Sequence, residues 1–439
     1  MQPESILPRR MTHGESPSRT KVTFCVYDNP GHVGGPVTWI VRLLPALRNL
    51  GIDVNCLFLL HWGETGPALE SLRAQGFHCE SVVCHPRTED RVRWILERLK
   101  ENPPDVFVPN LVLAAYFAGR WTRAAGIPTV GVVHSDDAFY RALQDDFVFG
   151  PSAFRLAALV CVSRQLELEV LARKPVETAV HRIPCGAPIP DARVQPASHL
   201  RIAYLGRLAD EQKRISDVTR SLCRVVREVS GTEAVIYGNG PDANRVTEIL
   251  ESDGRDLPIR LGGSIPSEFI QDRLLECDVV VLLSDYEGLP IALMEAMACG
   301  CVPVCLRIRS GIPELVEDGV TGLLVDDRGD DFVRAIRTLR ENPELLASLS
   351  AAARSRVERS YSNDDCAERW AVLLRELGSR SSPRRRFRVP SRIRLLPQNP
   401  FLESAELRRP KPSIPLRFYR RSRMIAGRVK RVLLGRPRT

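Results

Sequence analysis

Short apolar runs alternate with stretches in which apolar residues recur every three or four positions along most of the first 380 residues. Residues 22–27 form an apolar run bounded by Asp28, Asn29, Pro30 and Gly31, which reads as a buried strand entering a turn. Trp39, Ile40, Leu43, Leu44 and Leu47 then recur at helical spacing over 37–50, and Gly51 stops that helix before a second apolar run at 54–60. Strand, helix and strand in that order make a βαβ unit. The alternation continues with helices near 68–75, 92–100 and 165–172, and strands near 81–84, 106–108, 129–134 and 157–163. Polar residues at 191–198 interrupt it, and 202–205 opens a second series. Its expected strands are 234–237, 259–261, 279–283, 302–304 and 322–325. Its expected helices are 215–229, 242–252, 267–276, 291–297 and 331–341, followed by 344–361 and 364–377.

The pattern predicts an α/β protein with two Rossmann-like, doubly wound domains facing one another across a cleft. The expected divisions are a disordered stretch at 1–20, a first domain at 21–190, a second at 191–378 and a basic, Pro/Arg-rich tail at 379–439. A chain of 439 residues has room for two such cores, since single cores seldom grow beyond about 250 residues. No apolar run approaches the roughly 18 residues of a membrane span, and the first twenty residues lack the apolar segment of a secretory signal. A cytoplasmic location is therefore expected, with the twelve cysteines as reduced thiols. Charge changes the picture only at one end. Residues 380–439 hold nineteen Lys/Arg and two Glu, so the tail carries +17 and the remaining body −8 of the net +9.

In doubly wound sheets, ligands bind beyond the carboxyl ends of the strands, and several strand ends here carry chemistry. Ser284, Asp285, Tyr286, Glu287, Gly288, Leu289 and Pro290 follow the strand at 279–283 and lead into a helix, with Pro290 expected at its first position. The free amides at that helix start suit a diphosphate. Glu287 and Glu295 would lie about 12 Å apart, too far to share one atom. Either they bind hydroxyls at opposite ends of one ligand, or Glu287 complements the helix dipole and Glu295 is solvated. Arg207 and Lys213 sit just beyond the strand at 202–205, where two cations would neutralise a leaving group or form a solvated surface pair. The Gly238-Asn239-Gly240-Pro241 turn reads as a nucleotide loop or a simple tight turn. His134 ends an apolar strand before Asp136 and Asp137, either of which could orient it. His78, Cys79, Cys84 and His85 make a compact ligand set, but a strand between the pairs would hold them too far apart for a structural zinc site.

The stretch from Glu287 to Asp326, with Met294-Glu295-Ala296-Met297-Ala298, Gly311-Ile312-Pro313-Glu314-Leu315-Val316 and Gly319-Val320-Thr321-Gly322, resembles retaining glycosyltransferase family 4. Further segments match it in order, extending the resemblance over roughly residues 22–375. The resemblance implies a GT-B fold; the lack of an Asp-x-Asp motif predicts catalysis without a divalent cation, with Arg207, Lys213 and the helix amides neutralising charge. The resemblance also implies that Glu287 contacts the donor sugar and Glu295 the ribose, and that Arg207 and Lys213, beyond Gly206, clamp the donor diphosphate. Gly238 and Gly240 would lie near the base, Gly288 and Leu289 near the phosphates, and Gly34 and Gly35 would bring backbone amides close to phosphate and acceptor. His134 would touch the donor sugar, and Ser163 and Arg164 would border the acceptor. Cys185 departs from the pattern, standing where the family often has Asn.

The expected function is transfer of a hexose-type sugar, with retention, from a nucleotide-diphosphate sugar to a lipid-linked, polysaccharide or other acceptor hydroxyl. No cofactor or metal is expected. A nucleotide-sugar epimerase of the same architecture and a non-catalytic sugar-nucleotide-binding protein are the alternatives. Residues 416–434 interleave Phe418, Met424, Ile425, Val429, Val432 and Leu433 with seven Arg/Lys, consistent with an amphipathic helix on an anionic membrane face. An unstructured extension is the other reading, and the scarcity of aromatics argues against nucleic acid.

Overall fold

The computed structural model describes residues 19–30, 34–61, 63–85, 87–195, 197–380, 387–396, 399 and 401–402. The tail segment 416–434 and the loop residues Gly31, His32 and Val33 lie outside the described residues.

Seven parallel strands build the first lobe: β1 (Lys21–Asp28), β2 (Asp53–Leu60), β3 (His78–Val83), β4 (Val106–Pro109), β5 (Val130–Val133), β6 (Ala158–Cys161) and β7 (Ala179–Arg182). They run in the order β3-β2-β1-β4 and β5-β6-β7, and a parallel bridge between Phe107 and Thr129 joins the two groups. The central strands read as unbroken apolar runs because helices cover both their faces; β4, β5 and β6 are buried throughout. The edge strand β3 is half-buried, which is why its polar first half escapes an apolar-run reading and the expected strand at 81–84 begins at His78. The helix Leu113–Ala124 was not anticipated. Its residues 113–119 are all buried, so no polar face marks its period.

The second lobe holds β8 (Leu200–Leu205), β9 (Thr232–Tyr237), β10 (Ile259–Gly263), β11 (Val279–Leu282), β12 (Val302–Leu306) and β13 (Leu323–Val325), all parallel, in the order β10-β9-β8-β11-β12-β13. In both lobes the strand order reverses between the first and fourth strands, and crevices open at such points. The chain crosses between lobes near Ala187 and again near Ser362, and the crossings pair: Ala187 donates to the Tyr361 carbonyl (2.9 Å) and Asn363 to the Ala187 carbonyl (3.0 Å). Gly186 permits this approach, since a Cβ there would lie 2.5 Å from Asn363 Cα. The helix Asn363–Ser379 returns to the first lobe, where fully buried Trp370 meets Phe24 (6.3 Å) and Trp39 (5.5 Å). No helix of the described residues is long and apolar enough to cross a membrane.

Candidate active site

The loop after β8 leads into a short helix, Asp210–Lys213, and then Arg214 in the left-handed region (φ 52°) opens the long helix Ile215–Glu228. Asp210 closes this turn by accepting from the Ser216 amide (2.8 Å) and hydroxyl (2.6 Å). The turn delivers Lys213 to the loop after β11. Lys213 Nζ donates to Glu287 Oε1 at 2.5 Å, with 14% and 7% of the two side chains exposed. Gln212 donates to the Tyr286 carbonyl (2.9 Å), and the Asp285 amide to the Gln212 carbonyl (3.0 Å), so the two loops are tied at three points. Arg207 is exposed, and its guanidinium makes no hydrogen bond or ion pair with another described residue.

Glycines let a third loop brace this pair. A Cβ on Gly238 (φ 142°) would lie 1.9 Å from the Gly206 carbonyl oxygen, and one on Gly240 2.2 Å from that of Leu208. The Leu208 amide donates to the Asn239 carbonyl at 2.9 Å. These glycines thus serve backbone contact between strand-end loops, holding the segment that carries Arg207 and Lys213.

The next helix runs Ile291–Cys299, and Pro290 stands at its N-cap (φ −74°, ψ 111°), one position earlier than expected from the sequence. The Leu293 and Met294 amides both reach the Pro290 carbonyl at 3.2 Å, which leaves proline outside the first turn. No side chain caps this helix start, and Leu289 beside it is buried. Here the lobes touch: a Cβ on Gly288 would lie 1.8 Å from the His134 carbonyl oxygen, so any larger residue would push them apart. Gly34 caps the helix Gly35–Asn49 by accepting from the Val37 and Thr38 amides at 3.0 Å, and a Cβ on Gly35 would lie 3.5 Å from Ile291 Cδ1. Gly34, Gly35, His134 and Gly288 therefore converge beside the Lys213–Glu287 pair.

His134 follows β5 with its Nε2 2.8 Å from Asn110 Oδ1 and its ring edge-on to Trp39 (5.2 Å). Burial lowers its pKa from 6.5 to about 3, so the imidazole is neutral at physiological pH. Neither aspartate orients it, contrary to the sequence-based expectation. Asp137 turns to cap the helix Ala138–Phe147 through the Tyr140 amide (3.0 Å), and Asp136 pairs with Arg141 (2.7 Å). A carboxylate next to a helix start finds free amides nearer than the preceding strand end. The orienting residue is Asn110, which sequence reasoning missed; its one signal is an amide side chain at the end of an apolar strand.

Glu295 is buried one turn beyond Ile291, on the face turned to the first lobe, and pairs with Arg42 of the helix Gly35–Asn49. Burial pushes its carboxyl pKa up, against the opposing pull of Arg42. The two glutamates are thus held by different cations, Glu287 by one of its own lobe and Glu295 by one from the facing lobe. Glu314, quoted in the motif without a role, also bridges lobes: it accepts from the Arg164 (2.5 Å) and Gln165 (3.2 Å) amides at the start of the helix Arg164–Ala172, which Ser163 caps. The pairs His78/Cys79 and Cys84/His85 lie at opposite ends of β3.

Residues 33–189 match the family described as Glycosyltransferase Family 4, and residues 191–356 that described as Glycosyl transferases group 1. The chain is 27% identical over 347 residues to the amylovoran biosynthesis glycosyltransferase AmsK of Erwinia amylovora, covering 76% of this chain and 74% of that protein. Among solved structures, Anabaena Alr3699/HepE in complex with UDP superposes with a TM-score of 0.65 at 18% identity, over 81% of this chain and all of that one. TarM of Staphylococcus aureus superposes with a TM-score of 0.66 at 14% identity, over 81% of this chain and 99% of that one. At these identities the structures establish the fold, which is GT-B.

Proposed function

We propose that this chain, a glycosyltransferase that belongs to family 4, takes a hexose-type sugar from a nucleotide-diphosphate donor and passes it with retention to an acceptor hydroxyl. The observation that carries the reading is the Lys213–Glu287 pair, bound between two strand-end loops and adjoining the contact of Gly288 with His134. Arg207 and Lys213 supply positive charge where a diphosphate would depart, and the uncapped amides ahead of Ile291 add a dipole of the same sign. Glu287 accepts hydroxyls of the sugar and Glu295 those of the ribose, and no divalent cation is needed. The C1–oxygen bond to the diphosphate breaks, the acceptor oxygen bonds C1 on the same face, and the acceptor proton passes to a phosphate oxygen. A complex of HepE with UDP and glucose, and the amylovoran role in the name of AmsK, support a nucleotide-sugar donor and a cell-surface glycan acceptor.

Incubating the purified chain with a panel of nucleotide sugars and reading products by mass spectrometry tests this. Transfer or slow donor hydrolysis is expected; a released sugar isomer would point to an epimerase, and binding without turnover to a carrier. The basic stretch 416–434 docks the enzyme on the cytoplasmic membrane face beside a lipid-linked acceptor, so flotation with anionic vesicles at low salt should carry the full chain but not a chain ending at residue 396.

A further inference from the structure

Asn110 stands at the end of β4, 1% exposed, and the next residue, Leu111, is in the left-handed region (φ 63°), a conformation that a bulky residue adopts only when its surroundings impose it. The side-chain amide has one consistent orientation. Its Nδ2 donates to the Pro36 carbonyl (3.2 Å), an acceptor only, so Oδ1 faces His134 Nε2 at 2.8 Å. An amide oxygen cannot donate, and the Nε2 therefore carries the ring proton. On the other side, Cys185 Sγ lies 4.0 Å from Nδ1. The thiol is 2% exposed and burial pushes its pKa well up, so it keeps its proton and points a weak donor at the Nδ1 lone pair. Trp39 and Tyr140 pack beside the ring with centroids at 5.2 and 6.2 Å, and Arg42 is the nearby cation felt by Cys185.

We infer that Asn110 is a positioning residue for the transfer reaction: with Cys185 it holds the His134 ring in the Nε2–H tautomer and engages both ring nitrogens, so that His134 acts by shape and not by proton transfer. The same amide, through Pro36, ties the glycine loop at Gly34 and Gly35 to the histidine, so the two first-lobe elements that meet Gly288 and Ile291 are set as one piece. Cys185, the departure from the family pattern, is thereby given a part that an asparagine would fill differently. The inference rests on the reading of His134 as a cleft residue.

The test is a long-range proton–nitrogen correlation spectrum of the full chain labelled at its histidines, with His134→Gln identifying the resonance. The wild type should show the Nε2–H form, still unprotonated at pH 5. Asn110→Ala should give a mixture of both tautomers and lower kcat by about a hundredfold with KM changed by less than about twofold, the signature of a misplaced group. Asn110→Asp still accepts at Nε2 but adds a charge, so His134 should begin to titrate between pH 5 and 7 and the rate should gain a new pH dependence. A wild-type Nδ1–H form, a wild-type titration near pH 6.5, or an unaltered tautomer in Asn110→Ala would overturn the inference. The spectrum needs no donor, so a chain inactive towards every nucleotide sugar would count against the proposed function and leave this result standing.

Discussion

The Lys213–Glu287 corner of the second lobe and the His134 corner of the first sit at the ends of the same kind of parallel sheet, yet they present opposite chemistry. The first is built of ions: a lysine and a glutamate at 2.5 Å, with an exposed arginine nearby. The second is built of neutral groups: an imidazole kept uncharged by burial, an amide, a thiol and an indole. On the proposed reading the departing diphosphate meets the ionic corner, while the sugar lies between Glu287 of that corner and the neutral groups around His134. Glu295 marks the seam, since its counter-ion comes from the other lobe.

Breaking the ionic corner should have the largest effect. Lys213→Ala leaves a buried carboxylate without its partner and should cost about 3–5 kcal/mol of stability in urea unfolding. Glu287→Gln keeps size and an acceptor for Lys213, so it should fold normally, by circular dichroism, while turnover falls by about 10²–10³-fold. At the seam, Arg42→Met and Glu295→Gln, singly and together, should reveal a coupling of about 0.5–3 kcal/mol in a double-mutant cycle; additivity would mean the lobes are not joined there. The neutral corner should show itself through pH. An unfolded chain protonates His134 below about pH 6.5 and the folded one only near 3, so stability present above 6.5 is lost as pH falls between those values. This histidine contributes at most about 1.4 kcal/mol per pH unit, and His134→Asn should lower the slope of urea midpoints measured at pH 4 to 6.5 by up to that amount, while half-buried His61 keeps a slope of the same sign.

The sheets were legible in the sequence because buried parallel strands are written as apolar runs, and every expected strand overlaps an observed one. Elements without contrast were not: Leu113–Ala124 is buried on all sides near its start, and β7 is a four-residue edge strand with no apolar run. The strand-end positions of Arg207, Lys213 and Glu287 were legible too, because they sit within motifs whose order along the chain matters, but the ion pair between Lys213 and Glu287 was not. The neutral corner and the seam were legible only in part. Asn110, Arg42 and Glu314 act through residues 24, 253 and 150 positions away, and sequence spacing carries no information about such contacts. Asp136 and Asp137 misled for the same reason, being near His134 along the chain but engaged with the helix that follows.

The central claim is that the second lobe's strand ends grip the diphosphate. Calorimetric titration of nucleoside diphosphates into the wild type, Arg207→Ala and Arg141→Ala tests it directly, since both arginines are exposed but Arg141 belongs to the first lobe. The account predicts that at least one nucleoside diphosphate binds, that Arg207→Ala weakens it about 10- to 100-fold, as expected for a lost charge-assisted hydrogen bond, and that Arg141→Ala leaves it unchanged. Equal affinity in the wild type and Arg207→Ala, or a loss confined to Arg141→Ala, would contradict it.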